Sequence, residues 1–286
     1  MKRITLPIGI LLIGAMLASC TSQPDENLPA SGEAEATAQL AASPTPTTLD
    51  NNENTTETTQ PAETEAPVSK EETAKAPLYR MSEAYRFVPI VEGAESKVVL
   101  LTFDDGPKDE AVLTSILDTL DKHKAKAIFF VNGYRIKQNP ELLKLIKKRE
   151  QTIGNHSWDH INLKEESKAV VEKQIGDVQS DIDALIGQKP LFFRPPYGSG
   201  GAVVKETAKN HGMLYMTWSN GSLDWDKTAK DKPEVVIKNV LEQLHPGANI
   251  LMHELQWTAD ALEELLTALE SKGYGFIDPA TIELIR

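Results

Sequence analysis

The sequence predicts an α/β fold with parallel strands, and three observations support that prediction. Strand-like apolar runs alternate with helix-like segments between about residues 97 and 277, a pattern typical of strands joined by helical crossovers. The runs are continuously apolar, as expected for strands buried on both faces. Polar residues follow several runs directly, at the position where active sites of such folds lie. The pattern fits either an α/β barrel or an open doubly wound sheet.

The predicted elements follow one another in a regular order. A β-branched, apolar run predicts the first strand over residues 98–103, and a second run predicts a strand over 127–131. Shorter apolar runs predict strands over 191–193, 214–217, 248–252 and 275–277. Apolar residues at helical spacing predict helices over 109–123, 140–149, 164–186, 233–244 and 258–272.

Residues 1–19 have the features of an export signal. Lys2 and Arg3 precede an apolar stretch over residues 4–17, which is shorter than the ~20 residues of a transmembrane helix. The closing string Leu17-Ala18-Ser19-Cys20 resembles the lipobox of bacterial lipoproteins. That resemblance implies cleavage before Cys20, lipidation of Cys20 and anchorage at the outer face of the bacterial cell membrane. An ordinary cleaved signal with an incidental cysteine is the alternative.

Residues 20–85 are predicted to form a disordered tether. Ser, Thr, Pro, Ala and Glu dominate this segment, so it lacks the apolar surface needed to offset chain entropy. The segment also carries much of the net charge of −12, with eleven acidic and three basic residues between Thr21 and Met81. An acidic chain is a poor partner for nucleic acid, whose binding depends on Lys and Arg.

Candidate functional residues occur in three short strings. Asp104 and Asp105 end the first predicted strand, although Asp105-Gly106 alone would also suit a simple turn. His156 and His160 would share one face of a helical turn and could together hold a metal ion. His253 follows the strand predicted over 248–252. Two histidines and a carboxylate form a known catalytic zinc set, which makes Asp105 a natural third ligand and leaves Asp104 free to act as base.

The segment 97–279 resembles the NodB homology domain of the polysaccharide deacetylases, carbohydrate esterase family 4. Five strings match the family motifs in order: Thr-Phe-Asp-Asp-Gly-Pro (102–107), His-Ser-Trp-Asp-His (156–160), Arg-Pro-Pro-Tyr-Gly (194–198), Leu-Asp-Trp (223–225) and Leu-Met-His (251–253). The resemblance implies a distorted, incomplete (β/α) barrel. It also implies a hydrolase that acts on the amide bond of N-acetylated sugars and releases acetate.

The resemblance further implies a role for each matched residue. Asp105, His156 and His160 would bind a divalent metal, for which Zn²⁺ is favoured over Co²⁺ and other divalent ions. The catalytic residues would be Asp104 as general base, Arg194 as its partner, His253 as general acid and Asp224 as the residue that orients His253. Tyr197 would offer its backbone N–H to the oxyanion, and Trp225 and Leu251 would line the pocket for the acetyl methyl group.

One position departs from the family pattern. The fourth motif commonly has an aspartate where this chain has Gly221, which affects the expected pocket rather than the acid, base or ligands. A serine esterase is disfavoured because no Gly-x-Ser-x-Gly string occurs. A glycoside hydrolase would leave the histidine pair unexplained.

The expected substrate is the N-acetylglucosamine of peptidoglycan, processed by a monomeric, membrane-anchored enzyme at the cell envelope. Chitin, poly-N-acetylglucosamine and acetyl-xylan are alternative substrates. A wall-binding lipoprotein of the same fold with little or no turnover is the alternative from another functional class.

Overall fold

The computed structural model describes residues 75–284. The expectations for the signal peptide, for Cys20 and for the tether up to residue 74 concern residues outside this range. Among the described residues, no helix has the length and apolar character needed to cross a membrane.

The order of elements is that of an α/β protein. The strands are β1 Tyr79–Met81, β2 Phe87–Pro89, β3 Val98–Gly106, β4 Ala127–Val131, β5 Thr152–Asn155, β6 Phe192–Phe193, β7 Leu214–Tyr215, β8 Asn220–Gly221, β9 Ala248–His253 and β10 Gly275–Phe276. The helices are α1 Glu110–Lys122, α2 Gly133–Gln138, α3 Pro140–Lys148, α4 Lys168–Ile186, α5 Ala202–Asn210, α6 Pro233–Glu242 and α7 Gln256–Ser271.

Eight of the strands form one sheet. Its order is β7-β6-β5-β4-β3-β9-β8, all neighbours are parallel, and β10 pairs with the first residues of β3. Within residues 75–284, β7 and β8 do not pair with each other, so the curled sheet does not close. The predicted fold class, a distorted and incomplete (β/α) barrel, is therefore confirmed.

Alternation along β3 separates an outer core from the barrel interior. Val99, Leu101 and Phe103 belong to the outer cluster that α1, α6 and α7 cover. Leu100 lies in the interior cluster, and the following inward position, Thr102, hydrogen-bonds within the interior. Because side chains alternate with a period of two, Asp104 also points inward. It lies at the carboxyl end of the sheet, where α/β barrels hold their active sites.

A hairpin of β1 and β2 fills the opposite end of the interior. Tyr79 and Phe87 pack in the same cluster as Leu100. The N–H of Phe87 donates to the carbonyl of Gly247, directly before β9, at 2.8 Å. The tether predicted up to residue 85 is therefore wrong at its C-terminal end, because burial of two aromatic side chains orders this short segment.

Local signals explain where several helices begin and end. Asp109 caps α1 by accepting a hydrogen bond from the N–H of Val112 at 3.0 Å, and Ser167 caps α4 in the same way through Val170. Helix α4 ends at Gly187, whose φ of 68° suits glycine. Helices α2 and α5 and strands β5 and β8 were not predicted, because each is short or weakly apolar.

Candidate active site

The carboxylates of Asp104 and Asp105 diverge because β3 is irregular at its end. The pairing of β3 with β4 shifts between Asp104 and Gly106, which leaves Asp105 as an extra residue. Asp105 adopts a left-handed φ of 68°, a conformation that aspartate tolerates better than most residues. Asp104 is 3% exposed and faces the interior, whereas Asp105 turns toward the two histidines.

Asp105, His156 and His160 form a cluster suited to a metal ion. One ligand atom from each lies within 4.8 Å of the others. Asp105 Oδ1 is 3.4 Å from His156 Nε2 and 3.1 Å from His160 Nε2. This oxygen is buried and has no hydrogen-bond partner among the described residues, although buried polar atoms are normally satisfied. A divalent cation bound by these three side chains would provide the missing partner, so the residues fit the expected metal.

The histidine pair does not lie on a helical turn, so that prediction was wrong. Residues 156–160 form a loop after β5, in which Ser157 and His160 have positive φ angles of 67° and 56°. These left-handed positions turn both rings toward Asp105, with ring centroids 5.1 Å apart. Loop geometry thus replaces the expected helical spacing.

Buried amides hold this loop in place. Asn132, at the end of β4, donates its Nδ2 to the carbonyl oxygens of His156 at 2.8 Å and Ser157 at 3.3 Å. Asn155 Oδ1 accepts from the N–H of Ser157 at 2.9 Å. The ring of Trp158 occupies the space beside Gly133, where a β-carbon would lie 2.0 Å from the ring. The loop is therefore fixed to two strand ends.

A backbone contact orients the His156 ring. Its Nδ1 lies 2.7 Å from the carbonyl oxygen of Arg194. A carbonyl can only accept, so Nδ1 carries the proton and Nε2 presents its lone pair toward Asp105. This arrangement is typical of histidines that bind metal, in which the second nitrogen is held by a protein acceptor.

Opposing effects act on the pKa of Asp105. Burial raises it, but the close approach of the His156 and His160 rings and the charge of His253 lower it by more, and the net pKa lies well below the ordinary range. Asp105 is therefore ionised at neutral pH, as a metal ligand must be.

Arg194 is fully buried and binds Asp104 inside the barrel. Its Nη1 donates to Asp104 Oδ1 at 2.8 Å and to Thr102 Oγ1 at 2.7 Å, and its Nη2 donates to Asn249 Oδ1 at 3.1 Å. The guanidinium also lies 4.3 Å from the ring centroid of Phe130. Burial lowers the pKa of Arg194, and the charge of Asp104 partly offsets that effect. The pair is held rigidly by strand residues.

His253 faces Asp104 from the neighbouring strand. The two residues are register partners of β9 and β3. His253 Nδ1 lies 2.7 Å from Asp224 Oδ1, and Asp224 Oδ2 also accepts from Thr258 Oγ1 at 2.7 Å. Burial lowers the pKa of His253, but the hydrogen bond and charge of Asp224, together with the charges of Asp104 and Asp105, raise it overall. The imidazole is thus suited to carry a proton.

The three residues expected to bind substrate surround this centre. Tyr197 is 67% exposed, and its ring centroid lies 4.7 Å from that of His160. Trp225 is 47% exposed, and its ring lies edge-on to His253 at 5.2 Å. Leu251 is buried two residues before His253. Gly221, where the family motif commonly has aspartate, is the register partner of Leu251.

Three supporting residues escaped the sequence analysis. Thr102 and Asn249 bind Arg194, and Glu254 accepts hydrogen bonds from the backbone N–H groups of Lys108 at 2.7 Å and Asp109 at 2.8 Å.

Alternation within the strands could have identified Thr102 and Asn249. Thr102 lies two residues before Asp104, and Asn249 lies four before His253, so both share the inward face.

The other histidines lie outside this centre. His123 contacts Glu263 and Glu270, and His211 contacts Glu172. His245 contacts the backbone carbonyls of Pro246 and Ser219.

Comparison with known proteins supports the family resemblance. The family model described as polysaccharide deacetylase matches residues 92–216. A peptidoglycan-N-acetylglucosamine deacetylase from Bacillus cereus is 34% identical over 199 residues, which cover 68% of this chain and 70% of that protein. The peptidoglycan-N-acetylglucosamine deacetylase PgdA of Listeria monocytogenes is 40% identical over 192 residues, covering 66% of this chain; these span only 40% of its own length.

Among solved structures, a family 4 pseudoenzyme from Bacillus anthracis has a TM-score of 0.61 at 34% identity. The match covers 64% of this chain and 63% of that structure. The fold is thus shared by deacetylases and by a pseudoenzyme. Whether a chain with this fold is active therefore depends on the residues of its site.

Proposed function

The chain belongs to the polysaccharide deacetylase family, and we propose that it is a metal-dependent hydrolase that removes N-acetyl groups from a cell-wall polysaccharide. One observation carries this proposal. Asp104 and His253 face each other from paired strands, and the cluster of Asp105, His156 and His160 lies beside them. A base, an acid and a set of ligands are thus brought together at one end of the barrel.

The ligand cluster supplies the first part of the chemistry. Asp105, His156 and His160 would hold the divalent ion, and when bound the ion would polarise the acetyl carbonyl and lower the pKa of water. Zn²⁺ suits two imidazoles and one carboxylate, and Co²⁺ and other divalent ions suit them as well.

Asp104 is the proposed general base. Arg194 occupies its Oδ1, which leaves Oδ2 directed toward the metal cluster, 3.6 Å from His156 Nε2. The guanidinium holds the carboxylate in this orientation. Asp104 would remove a proton from the attacking water, and the water oxygen would form the new bond to the carbonyl carbon.

His253 is the proposed general acid. It would donate its proton to the amide nitrogen as the carbon–nitrogen bond breaks, so that the sugar leaves as an amine and the acyl group as acetate. Asp224 orients the ring and favours its protonated form. The backbone N–H of Tyr197, on the loop next to His160, would stabilise the negative charge that develops on the carbonyl oxygen.

The exposed rings of Tyr197 and Trp225 suit a sugar substrate. They flank the centre on opposite sides, one against His160 and the other against His253, and aromatic rings offer apolar faces with a polar edge. The similar proteins from Listeria monocytogenes and Bacillus cereus are described as peptidoglycan-N-acetylglucosamine deacetylases. We therefore favour that substrate over chitin, poly-N-acetylglucosamine or acetyl-xylan.

The envelope location also forms part of this proposal. Export and lipid anchorage at Cys20, at the outer face of the cell membrane, rest on the N-terminal sequence pattern, and a monomeric state is proposed with them. Two acyl chains on one cysteine would give stable anchorage, since each buried methylene contributes ~0.8 kcal/mol.

A second candidate function follows from the similar pseudoenzyme structure: binding of wall polysaccharide without turnover. The presence of the base, the acid, the arginine and all three ligand residues in one cluster favours activity over this alternative.

Acetate release separates the two candidates. Purified protein should release acetate from peptidoglycan, chitin oligomers or acetyl-xylan, and a chelator should abolish the release until Zn²⁺ or Co²⁺ is restored. Asp104→Asn should lose activity by at least a hundredfold while retaining its metal. Asp118→Asn, on the exposed face of α1, serves as the control. Equal activity of Asp104→Asn and the native protein would contradict the mechanism.

A further inference from the structure

Gly221 lies on the inner wall of the proposed acyl pocket. It is the register partner of Leu251 in the parallel pair of β8 and β9, and register partners direct their side chains to the same face. In β9, Asn249 and His253 point inward, so Leu251 between them does too. The preceding residue, Asn220, bonds outward to the carbonyl of Val240 on α6. A side chain at position 221 would therefore point into the cleft.

The missing side chain leaves a notch, because the wall at Gly221 is set back by one methyl group relative to alanine. A β-carbon built on Gly221 would lie 3.7 Å from Trp218 Nε1, 3.7 Å from Trp225 Cη2 and 3.9 Å from Leu223 Cδ2. These are ordinary van der Waals distances, and no atom lies closer. Trp225 is the ring that packs against His253, so the notch opens beside the proposed general acid.

Trp218 gives the notch one polar wall. Among residues 75–284, no acceptor binds its indole N–H, and the side chain is half-buried. Its far edge lies against Gly198, where a β-carbon would come within 2.9 Å of Cη2. Gly198 has a φ of 64°, a conformation that favours glycine. The ring is therefore held between the loop that carries Tyr197 and the end of β8.

We propose that Gly221 determines acyl specificity, and that the pocket admits N-acyl groups one heavy atom longer than acetyl. This inference rests on the proposed deacetylase function. An N-propionyl group would place its terminal methyl in the notch. An N-hydroxyacetyl group would place its hydroxyl there, where Trp218 Nε1 can donate to it. Hydrolysis is otherwise unchanged: water adds to the carbonyl carbon, the carbon–nitrogen bond breaks, and propionate or hydroxyacetate leaves with the amine protonated.

Gly221→Ala is the decisive variant. The added methyl group meets no atom closer than 3.7 Å, and the φ of Gly221 is not left-handed, so the variant should fold. It fills the notch and should exclude the longer acyl groups. A single methylene in a pocket of this kind changes kcat/KM by roughly 10–200-fold.

The test compares glucosamine oligomers that carry acetyl, propionyl or hydroxyacetyl groups, with amine release by the full-length, metal-loaded protein as the readout. The native protein should hydrolyse the propionyl substrate within about tenfold of the acetyl substrate. In Gly221→Ala the propionyl-to-acetyl ratio of kcat/KM should fall at least tenfold. Gly275→Ala is the control, because its β-carbon meets only Val98, also at 3.7 Å, at the far end of β3.

The possible outcomes distinguish failure of the acyl-specificity inference from failure of the deacetylase function. If the native protein releases the amine from the acetyl substrate but hydrolyses the propionyl substrate more than about tenfold less efficiently, the inference is overturned and the deacetylase function stands. An equal ratio in Gly221→Ala and the native protein would also overturn it. Absence of release from all three substrates would contradict the deacetylase function and the inference together. Trp218→Phe, which keeps a ring and removes the N–H, should lower the hydroxyacetyl-to-propionyl ratio severalfold; an unchanged ratio would reject the indole contact.

Discussion

The carboxylate of Asp224 holds both the ring and the backbone of His253. Oδ1 lies 2.7 Å from the ring Nδ1, and Oδ2 accepts from the backbone N–H of His253 at 2.7 Å. Thr258 and Trp257 in turn hold Asp224, through its Oδ2 and its carbonyl oxygen. The imidazole is thereby fixed in position, and a buried carboxylate raises its pKa.

Asp224→Asn should move the alkaline limb of the pH–rate profile to lower pH. A general acid must be protonated to act, and loss of the Asp224 charge lowers the pKa of His253, so the proton is lost at lower pH. We expect kcat/KM to fall at least tenfold as well. Thr258→Val removes only one hydrogen bond to Asp224 and should give a smaller shift. An alkaline limb unchanged in Asp224→Asn would argue against His253 as the acid.

Asn132→Ala should weaken metal binding without removing a ligand. The amide of Asn132 holds the carbonyls of His156 and Ser157, and loss of such a supporting contact typically costs 10–100-fold in metal affinity. Calorimetric titration of Zn²⁺ into the metal-free protein measures this affinity. Asn210→Ala, on the exposed end of α5, is the matched control. Equal affinity in both variants would show that the loop needs no support from β4.

Arg194→Met should destabilise the fold as well as abolish activity. It leaves the carboxylate of Asp104 buried without its partner, which costs about 3–5 kcal/mol. Urea unfolding of the two proteins gives this difference in the free energy of unfolding. Arg149→Met breaks a surface ion pair with Asp118 and Asp121 and should cost about 1 kcal/mol or less. Similar losses in both variants would contradict the strong coupling inside the barrel.

Glu254→Ala should destabilise the loop after β3, whereas Glu254→Gln should not. Alanine leaves the N–H groups of Lys108 and Asp109 without their acceptor, at about 1–3 kcal/mol, and glutamine keeps the acceptor oxygen. Thermal and urea unfolding would show the difference. Equal stability of the two variants would mean that water replaces the carboxylate.

The pH dependence of stability provides a further check on Glu254. Burial raises the pKa of this carboxyl, and hydrogen bonds from Asp109 and Lys108 only partly oppose the effect. The folded state therefore binds the proton more tightly than the unfolded state. Stability should fall as pH rises from the ordinary carboxyl pKa through the raised one. Glu254→Gln lacks this titration, so its stability relative to the native protein should increase across that window.

The central strands could be predicted because their composition leaves little alternative. The continuous apolar runs of β3, β4 and β9 fit only positions buried on both faces, and the polar residues at their ends therefore had to lie at one edge. Strand β5 offered no such signal. It contains Gly154, and the side chains of Phe130 and Ile128 occupy the space where a β-carbon of this residue would lie. The strand geometry of β5 therefore follows from the neighbouring strand β4 rather than from the residues of β5.

The site could be predicted by residue type but not by conformation. Period and spacing indicated that His156 and His160 act together, yet a helix was expected where the chain forms a loop with two left-handed residues. Such angles depend on contacts from Asn155, at the end of β5, and from Asn132, which follows the neighbouring strand β4. The hairpin near Tyr79 was missed for a similar reason: three-residue strands acquire their order from the barrel interior that they fill.

The hairpin also gives the domain a direction. It lies against Gly247 and Thr281, at the end of the barrel remote from Asp104 and His253. The described chain therefore begins at one end of the barrel, and the active-site opening, here called the mouth, lies at the other end. A support coupled to the protein upstream of the hairpin would leave the mouth unobstructed. Protein immobilised in this way on beads should therefore still accept insoluble polymer chains, whereas coupling through lysines near the mouth, such as Lys108, should block them.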